Sequence, residues 1–398
     1  MEKKNILRRI ITIILIMFIS MNNVAFGSIG IEGELTAYLL GDCETGEILE
    51  GFNIDKPIEI ASITKLMSYL VIMDEVTKGN ILLEDRVFID EDIASIKGSS
   101  LKVEVGEVFS IRELIEAAMV VSANDATYAL AKKVAGTEEA FVKLMNNKAR
   151  ELNLENAIFF NCTGLPVKDL DIQNVMTTRE IFILSQHIID KYPEILEISK
   201  LPFIEMESRN YVEGNTNPLL AEIEGVDGLK TGFTNKAGYC YVSTFGVKGK
   251  EKETKDSRFI GIVMGTKGFD ERKELGKTLV QYGLDNYSNR IILDEDIPLD
   301  TLIFPKGNPK EIEIYPKQGF TKLIKNDENI EVSLSLNDKL KPPIKKDRTI
   351  GKVTVYKDGE IIREEEVIVK EKVKRANPFI LLGRFIENIF LKIKGIFS

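Results

Sequence analysis

Ala61-Ser62-Ile63-Thr64-Lys65-Leu66-Met67 opens an apolar run that continues to Lys78, with Ile63, Leu66, Met67, Leu70, Val71 and Met73 near a 3.6-residue spacing. The run reads as a helix closed by Gly79-Asn80. A serine three residues ahead of a lysine on a helix places both on one face. Serine is a poor nucleophile without a base in hydrogen-bond reach. Lysine can be that base when burial or a nearby cation lowers its pKa. The plain alternative is a capped or solvated helix face, and Ser-x-x-Lys alone does not separate the two.

Outward from this helix the pattern is mixed. Before it, Glu34 to Leu49 reads as a strand hairpin turning at Cys43-Glu44-Thr45-Gly46. After it, helical periodicity recurs over Ile111–Val121, Ala126–Ala135, Thr137–Leu152 and Thr178–Asp190. Past Gly225 the chain turns β-rich: Gly238–Phe245 and Phe259–Met264 flank a charged stretch, Lys248–Asp256, that reads as a solvated hairpin loop. Glu274–Tyr287 is helical again. A hairpin, a block of helices, more strands and a closing helix predict an α+β domain whose sheet joins strands distant in sequence. From Ile291 to Arg375 alternating runs, with Asp358-Gly359 between two of them, predict a small all-β domain. Neither region contains a Gly-rich nucleotide cradle.

The composition excludes several classes of chemistry. The chain has 398 residues, one histidine (His187), three cysteines (Cys43, Cys162 and Cys240) and a formal net charge of -9. Such a net charge disfavours a general nucleic-acid binder. Four N/S zinc ligands are not assembled convincingly from one histidine and three cysteines. A serine–histidine–aspartate triad would depend wholly on His187, which reads as a helix residue, so an active serine needs a lysine. The cysteines permit at most one disulfide.

Both ends read as membrane-directed segments. Lys3, Lys4, Arg8 and Arg9 precede an apolar run, Ile10 to Ile19, and Ala25-Phe26-Gly27 supplies small residues at the spacing of a signal peptidase site. Residues 1–27 are therefore expected to be a cleaved export signal, placing the mature protein outside the cytoplasmic membrane. From Asn377 to Ser398, Leu382, Phe385, Ile386, Ile389, Ile393, Ile396 and Phe397 share one helical face, with Arg384, Glu387 and Asn388 largely on the other. A basic amphipathic helix of this kind is expected to lie on a membrane surface.

Two further motifs follow the first. Ser122-Ala123-Asn124 sits just after the apolar helix Ile111–Val121: its serine can relay a proton and its asparagine can hold a substrate amide, although taken alone a helix N-cap for Asp125 onward explains it better. Lys230-Thr231-Gly232 supplies a positive charge, a hydroxyl and a residue without a Cβ, the groups a carboxylate needs for close approach. Arg258, opening the strand after it, is a candidate partner of Thr231 for the same carboxylate.

Taken in this order the three motifs resemble those of penicillin-binding proteins and serine β-lactamases. The chain is similar to the low-molecular-mass penicillin-binding proteins that act as D-alanyl-D-alanine carboxypeptidases. Further blocks carry the resemblance: Asn124-Asp125-Ala126, Asn161-Cys162-Thr163-Gly164-Leu165, Asp227-Gly228-Leu229, Lys236-Ala237-Gly238-Tyr239 and Arg258–Gly265. Ala123 and Phe233 depart from the pattern: glycine is frequent at the first position, and histidine or tyrosine at the second. The resemblance implies a penicillin-binding/β-lactamase-like fold with this layout: signal peptide 1–27, catalytic domain 28–290, β domain 291–375 and an anchoring helix over 376–398. It implies Ser62 as nucleophile, Lys65 as base, Ser122 as proton relay, and Asn124, Lys230, Thr231, Gly232 and Arg258 as substrate-binding residues. The substrate would be a peptidoglycan stem peptide and β-lactams would acylate Ser62, with no metal or other cofactor and no nucleic acid. A β-lactamase, a D,D-endopeptidase or a transpeptidase shares these motifs, and a non-catalytic wall-binding protein is the alternative of another class.

Overall fold

The computed structural model describes residues 28–167, 170, 172–206, 209–249, 253–338 and 340–394. The predicted export signal lies outside these residues. The chain divides into two compact units: one runs to Gly246 and takes in Arg258–Tyr282, the other comprises Val247–Ser257 and the chain from Gly283 onward.

The first unit is built on a five-stranded sheet of β1 (Ala37–Asp42), β2 (Ile48–Phe52), β3 (Val226–Thr234), β4 (Gly238–Val247) and β5 (Ser257–Thr266), in the order β2–β1–β5–β4–β3. β1 runs antiparallel to β5, Ala37 opposite Met264 and Asp42 opposite Phe259. The sheet thus joins strands more than two hundred residues apart, as the sequence pattern predicts. Its helical side holds α1 (Thr64–Thr77), α2 (Ile111–Val120), α3 (Asn124–Ala135), α4 (Glu138–Glu151) and α5 (Thr178–Lys191). Leu39, Ile60, Leu66, Leu70, Leu114, Leu130, Phe141 and Phe182 share one buried core there. Against the other face lies α6 (Phe269–Asn286): a Cβ on Gly276 would come 3.0 Å from Tyr241, and one on Gly261 would come 3.4 Å from Leu279. Covered on both sides, β1 is buried along its whole length, from Ala37 to the charged Asp42 at its end.

Helix ends follow local chemistry. Ser110 and Glu113 form a capping box on α2, and Thr177 and Glu180 form another on α5. α1 and α3 have no side-chain cap. α1 is entered through a 3-10 turn, Ala61–Ile63, so its first turn is fixed by tertiary contacts. His187 lies on α5.

The second unit holds a five-stranded antiparallel sheet in the order Asp300–Ile303, Glu311–Pro316, Glu360–Val369, Thr349–Lys357 and Ile330–Leu336. Ile314, Val353, Val355, Val367 and Val369 form its core. Asp358 (φ 48°) and Gly359 (φ 85°) close the hairpin with both central residues left-handed, as the Asp-Gly signal predicts. α7 (Pro378–Lys394) follows, with Phe379, Leu382, Phe385 and Ile386 exposed. Arg384 Nη1 donates to the carbonyls of Pro305 (3.2 Å) and Gly307 (2.8 Å). Among the described residues no helix is long and apolar enough to cross a membrane. Cys43, Cys162 and Cys240 are unpaired and buried.

Candidate active site

Ser62 sits in the 3-10 turn and Lys65 one turn later, as the i, i+3 spacing requires. Lys65 Nζ is 3.0 Å from Ser62 Oγ, 2.7 Å from Asn124 Oδ1 and 3.0 Å from the Thr163 carbonyl oxygen. Lys65 is 1% exposed while Ser62 stays partly open to solvent. Burial pulls Lys65 down to about 7, against small upward effects of Cys162 and Asp125. A neutral amine has two N–H groups and one lone pair. Asn124 Oδ1 and the Thr163 carbonyl can only accept: a neutral amine that spends both N–H groups on them turns its lone pair to the Ser62 hydroxyl, whereas the ammonium donates to all three. The geometry holds Lys65 Nζ against Ser62 Oγ in either protonation state.

Asn124 is buried, and its Nδ2 donates to the Lys97 carbonyl at 2.9 Å. Sequence reasoning gives this residue to the substrate, whereas the structure commits its oxygen to Lys65; a second N–H of the amide remains. Ser122 lies two residues earlier, buried, in the connection between α2 and α3. It adopts φ +62°, and Ala61, just before Ser62, adopts φ +47°. Left-handed backbone at non-glycine residues costs about 1–3 kcal/mol each. Here it occurs at or beside both candidate serines.

β3 presents the third motif. Gly232 lies against the nucleophile turn, where a Cβ would meet Ser62 N at 3.1 Å and Ile60 O at 3.2 Å. Lys230 is 2% exposed and donates to the Thr231 carbonyl at 2.9 Å. Burial, then the charges of Lys65 and Arg272, push its pKa well below the usual lysine range. Sequence reasoning names a neighbouring cation as a cause of depression at Lys65. In the structure burial acts on Lys65, and the like-charge effect is felt at Lys230. Thr231 Oγ1 donates to Thr216 Oγ1 at 2.8 Å, and Thr216 Oγ1 lies 3.2 Å from the Val120 carbonyl.

Arg258 is not beside Thr231. Both its terminal nitrogens bind Asp227, each at 2.8 Å, and its side chain lies over Gly246. Thr231 pairs with Tyr241, five residues back along β4 from Gly246. At about 3.4 Å per residue the two are far apart. The misplacement has a simple origin: β4 lies between β3, which carries Thr231, and β5, which carries Arg258, so the two strands are not neighbours as expected, and register along them sets the side chains further apart.

Arg272, near the start of α6, was missed altogether. It is 5% exposed, its Nε is buried without a hydrogen-bond partner, and no carboxylate among the described residues pairs with it. Its guanidinium packs on the rings of Phe269 (4.9 Å) and Tyr239 (5.7 Å). In sequence it stands in Asp270-Glu271-Arg272-Lys273, which reads as an ordinary solvated first turn. Lys65, Lys230 and Arg272 thus form a buried basic cluster with no carboxylate in direct contact among the described residues. Among the described residues no group of three or more His, Cys, Asp or Glu side chains is placed to hold a metal ion.

The fold agrees with what known proteins show. A family model described as D-alanyl-D-alanine carboxypeptidase matches residues 31–268, and one described as the C-terminal domain of penicillin-binding protein 5 matches residues 287–375. The chain belongs to the D-alanyl-D-alanine carboxypeptidase family. It is 30% identical to D-alanyl-D-alanine carboxypeptidase DacF of Bacillus subtilis (strain 168) over 357 residues, 88% of this chain and 89% of that protein. Among solved structures it is similar to penicillin-binding protein 5 from Haemophilus influenzae, with 27% identity, a TM-score of 0.65 and coverage of 86% of this chain and 98% of that one. It is also similar to penicillin-binding protein D2 from Listeria monocytogenes in its ampicillin-bound form, with 31% identity, a TM-score of 0.56 and coverage of 63% and 97%.

Proposed function

We propose that this chain, a D-alanyl-D-alanine carboxypeptidase by family, removes the terminal D-alanine of peptidoglycan stem pentapeptides through a Ser62 acyl-enzyme. The observation that carries the reading is the buried Lys65 Nζ, held by two acceptor-only partners and 3.0 Å from Ser62 Oγ. Ser62 Oγ attacks the carbonyl carbon between the two D-alanines, and its proton passes to Lys65 Nζ. The oxyanion is met by the Ser62 backbone N–H and one from β3 beyond Lys230. The C–N bond breaks, and Ser122 passes a proton to the departing amine. Water then attacks the ester, releasing the shortened peptide and restoring Ser62.

The free carboxylate of the leaving D-alanine is the anion the basic cluster lacks. Thr231, Lys230 and Arg272 take it, and Gly232 leaves room for the substrate backbone against Ser62. Asn124 holds Lys65 and offers its remaining N–H to the substrate. Arg258 acts only indirectly, by fixing Asp227 at the end of β3. A β-lactam offers a strained amide to the same serine, and ampicillin is bound in the similar Listeria protein.

Residues 1–27 serve as export signal, 28–290 as catalytic domain, 291–375 as β domain and 376–398 as anchor, placing the enzyme at the outer face of the cytoplasmic membrane. Supporting the anchor are the exposed Phe379, Leu382 and Phe385.

The test is product analysis with covalent labelling. Wild type should release free D-alanine from a pentapeptide and take up a fluorescent penicillin. Ser62→Ala should do neither while keeping its thermal transition. Labelling of folded Ser62→Ala would remove Ser62 as nucleophile, and a crosslinked dimer in place of free D-alanine would make the enzyme a transpeptidase.

A further inference from the structure

Three separate segments build the Ser62–Lys65 pair: the uncapped nucleophile turn, the loop Asn161–Leu165 that offers the Thr163 carbonyl, and the strand β3. One buried dipeptide, Gln173-Asn174, touches all three. Asn174 is 0% exposed and Gln173 4%.

The nucleophile turn is held twice. The Asn174 carbonyl accepts from Ile60 N at 3.1 Å, two residues before Ser62, and Asn174 Nδ2 donates to Thr64 Oγ1 at 2.9 Å, one residue before Lys65. The loop is held three times: Asn174 Oδ1 accepts from Phe160 N (2.7 Å) and Asn161 N (3.3 Å), while Nδ2 also donates to the Asn161 carbonyl (2.9 Å). Asn161 Oδ1 in turn accepts from Thr163 N (3.1 Å) and Gly164 N (2.7 Å), which fixes the peptide that carries the Thr163 oxygen. β3 is held by Gln173, whose Oε1 accepts from Thr234 Oγ1 at 2.7 Å.

An amide is suited to this place. It supplies two donors and two acceptor directions in one rigid plane, and at Asn174 all four are used. Packing alone would not fix the loop so closely: at Gly164 a Cβ would lie 1.9 Å from the Ala61 carbonyl oxygen, so turn and loop are in backbone contact. A small rotation of that loop would carry the Thr163 oxygen off Lys65 and free its amine to turn from Ser62.

We infer that Asn174, with Gln173, is a positioning residue that sets the distance and orientation between Ser62 and Lys65 by joining the turn, the loop and β3. The inference rests on the reading of Ser62 as nucleophile and Lys65 as base. Asn174 touches no reacting atom.

The test measures the single-turnover rate of acylation by a fluorescent penicillin across pH, in the full chain. Asn174→Ala removes the junction, Thr64→Val removes one arm with little change of shape, and Gln173→Ala removes the arm to β3. Misplacement by a fraction of an ångström to an ångström should cost about tenfold or more in rate. Loosening should also admit water to Lys65, so the pH midpoint of acylation should move upward from its wild-type position. A residue that only stabilises the fold would lower the melting temperature and leave the midpoint of the folded protein in place. If Asn174→Ala shows no cooperative melting, Thr64→Val and Gln173→Ala decide. Rates within twofold of wild type and an unmoved midpoint in the folded variants overturn the inference. Ser62→Ala is the control: its loss of labelling keeps the nucleophile reading intact whatever the positioning variants show, and labelling of it would sink that reading first.

Discussion

At Lys65 one nitrogen decides the enzyme's response to pH. Its folded pKa is lowered by burial to about 7, so the amine is a cation below that value and a base above it. Acylation of Ser62 should therefore rise with pH through about 7 and level off, rather than climb toward the pKa of about 10.4 of a free lysine. Stopped-flow labelling against pH checks this, and a pH-independent rate would remove Lys65 as base. The two arginines divide along the same scale. Arg272→Ala should lose selectivity for a free C-terminus: the specificity constant on a peptide ending in D-Ala-D-Ala should fall by about 2–5 kcal/mol of transition-state binding, with little change on the C-terminal amide. Arg258→Ala should lower both substrates alike, through the loss of Asp227 as its paired partner. The reverse pattern would restore carboxylate recognition to Arg258.

Among the helices, Asp74 on α1 is the tie. It is 5% exposed and binds Lys148 of α4 at 2.7 Å, Lys191 of α5 at 2.8 Å and the Tyr192 hydroxyl at 2.6 Å. Burial raises its pKa, but these contacts outweigh it and hold the carboxyl at about 2. A carboxyl depressed in the folded state stabilises above its unfolded value of about 3.9, and the contribution is lost as pH falls through about 2. Asp74→Ala, which leaves Lys191 without its ion-pair partner and Lys148 with Glu151 alone, should cost about 2–3 kcal/mol at neutral pH. Melting curves should show that gap narrowing between pH 4 and pH 2. Sequence reasoning found α1, α4 and α5 because their apolar faces repeat, and it found the Asp358-Gly359 hairpin because left-handed residues announce themselves. It located Ser62 and Lys65, which lie three residues apart in the 3-10 turn and the first turn of α1. It did not find Asn174, Arg272 or the Thr163 carbonyl, and it misplaced Arg258. Those contacts join segments far apart in the chain, where strand register and loop path matter and local periodicity carries no information.

For the whole molecule, truncation is the informative change. Removing 377–398 should shift the mature protein from the membrane fraction to the soluble one with unchanged turnover of a soluble peptide. Truncated protein that still pellets with membranes would show that the anchor lies elsewhere. The three unpaired cysteines have a consequence of another kind. Thiol exchange and oxidation both run through the thiolate. Burial pushes Cys43 up to about 12, Cys240 up to about 11 and Cys162 well above its ordinary value. Burial thus favours the thiol over the thiolate at all three and shields them from reagents while the fold holds. The native enzyme should gain no mass from an alkylating agent, yet gain three adducts once unfolded. Its melting temperature should be the same in oxidised and reduced glutathione. Such a protein should be indifferent to redox poise: with its three cysteines unbridged, it has no disulfide to form on folding and none to lose when conditions turn reducing.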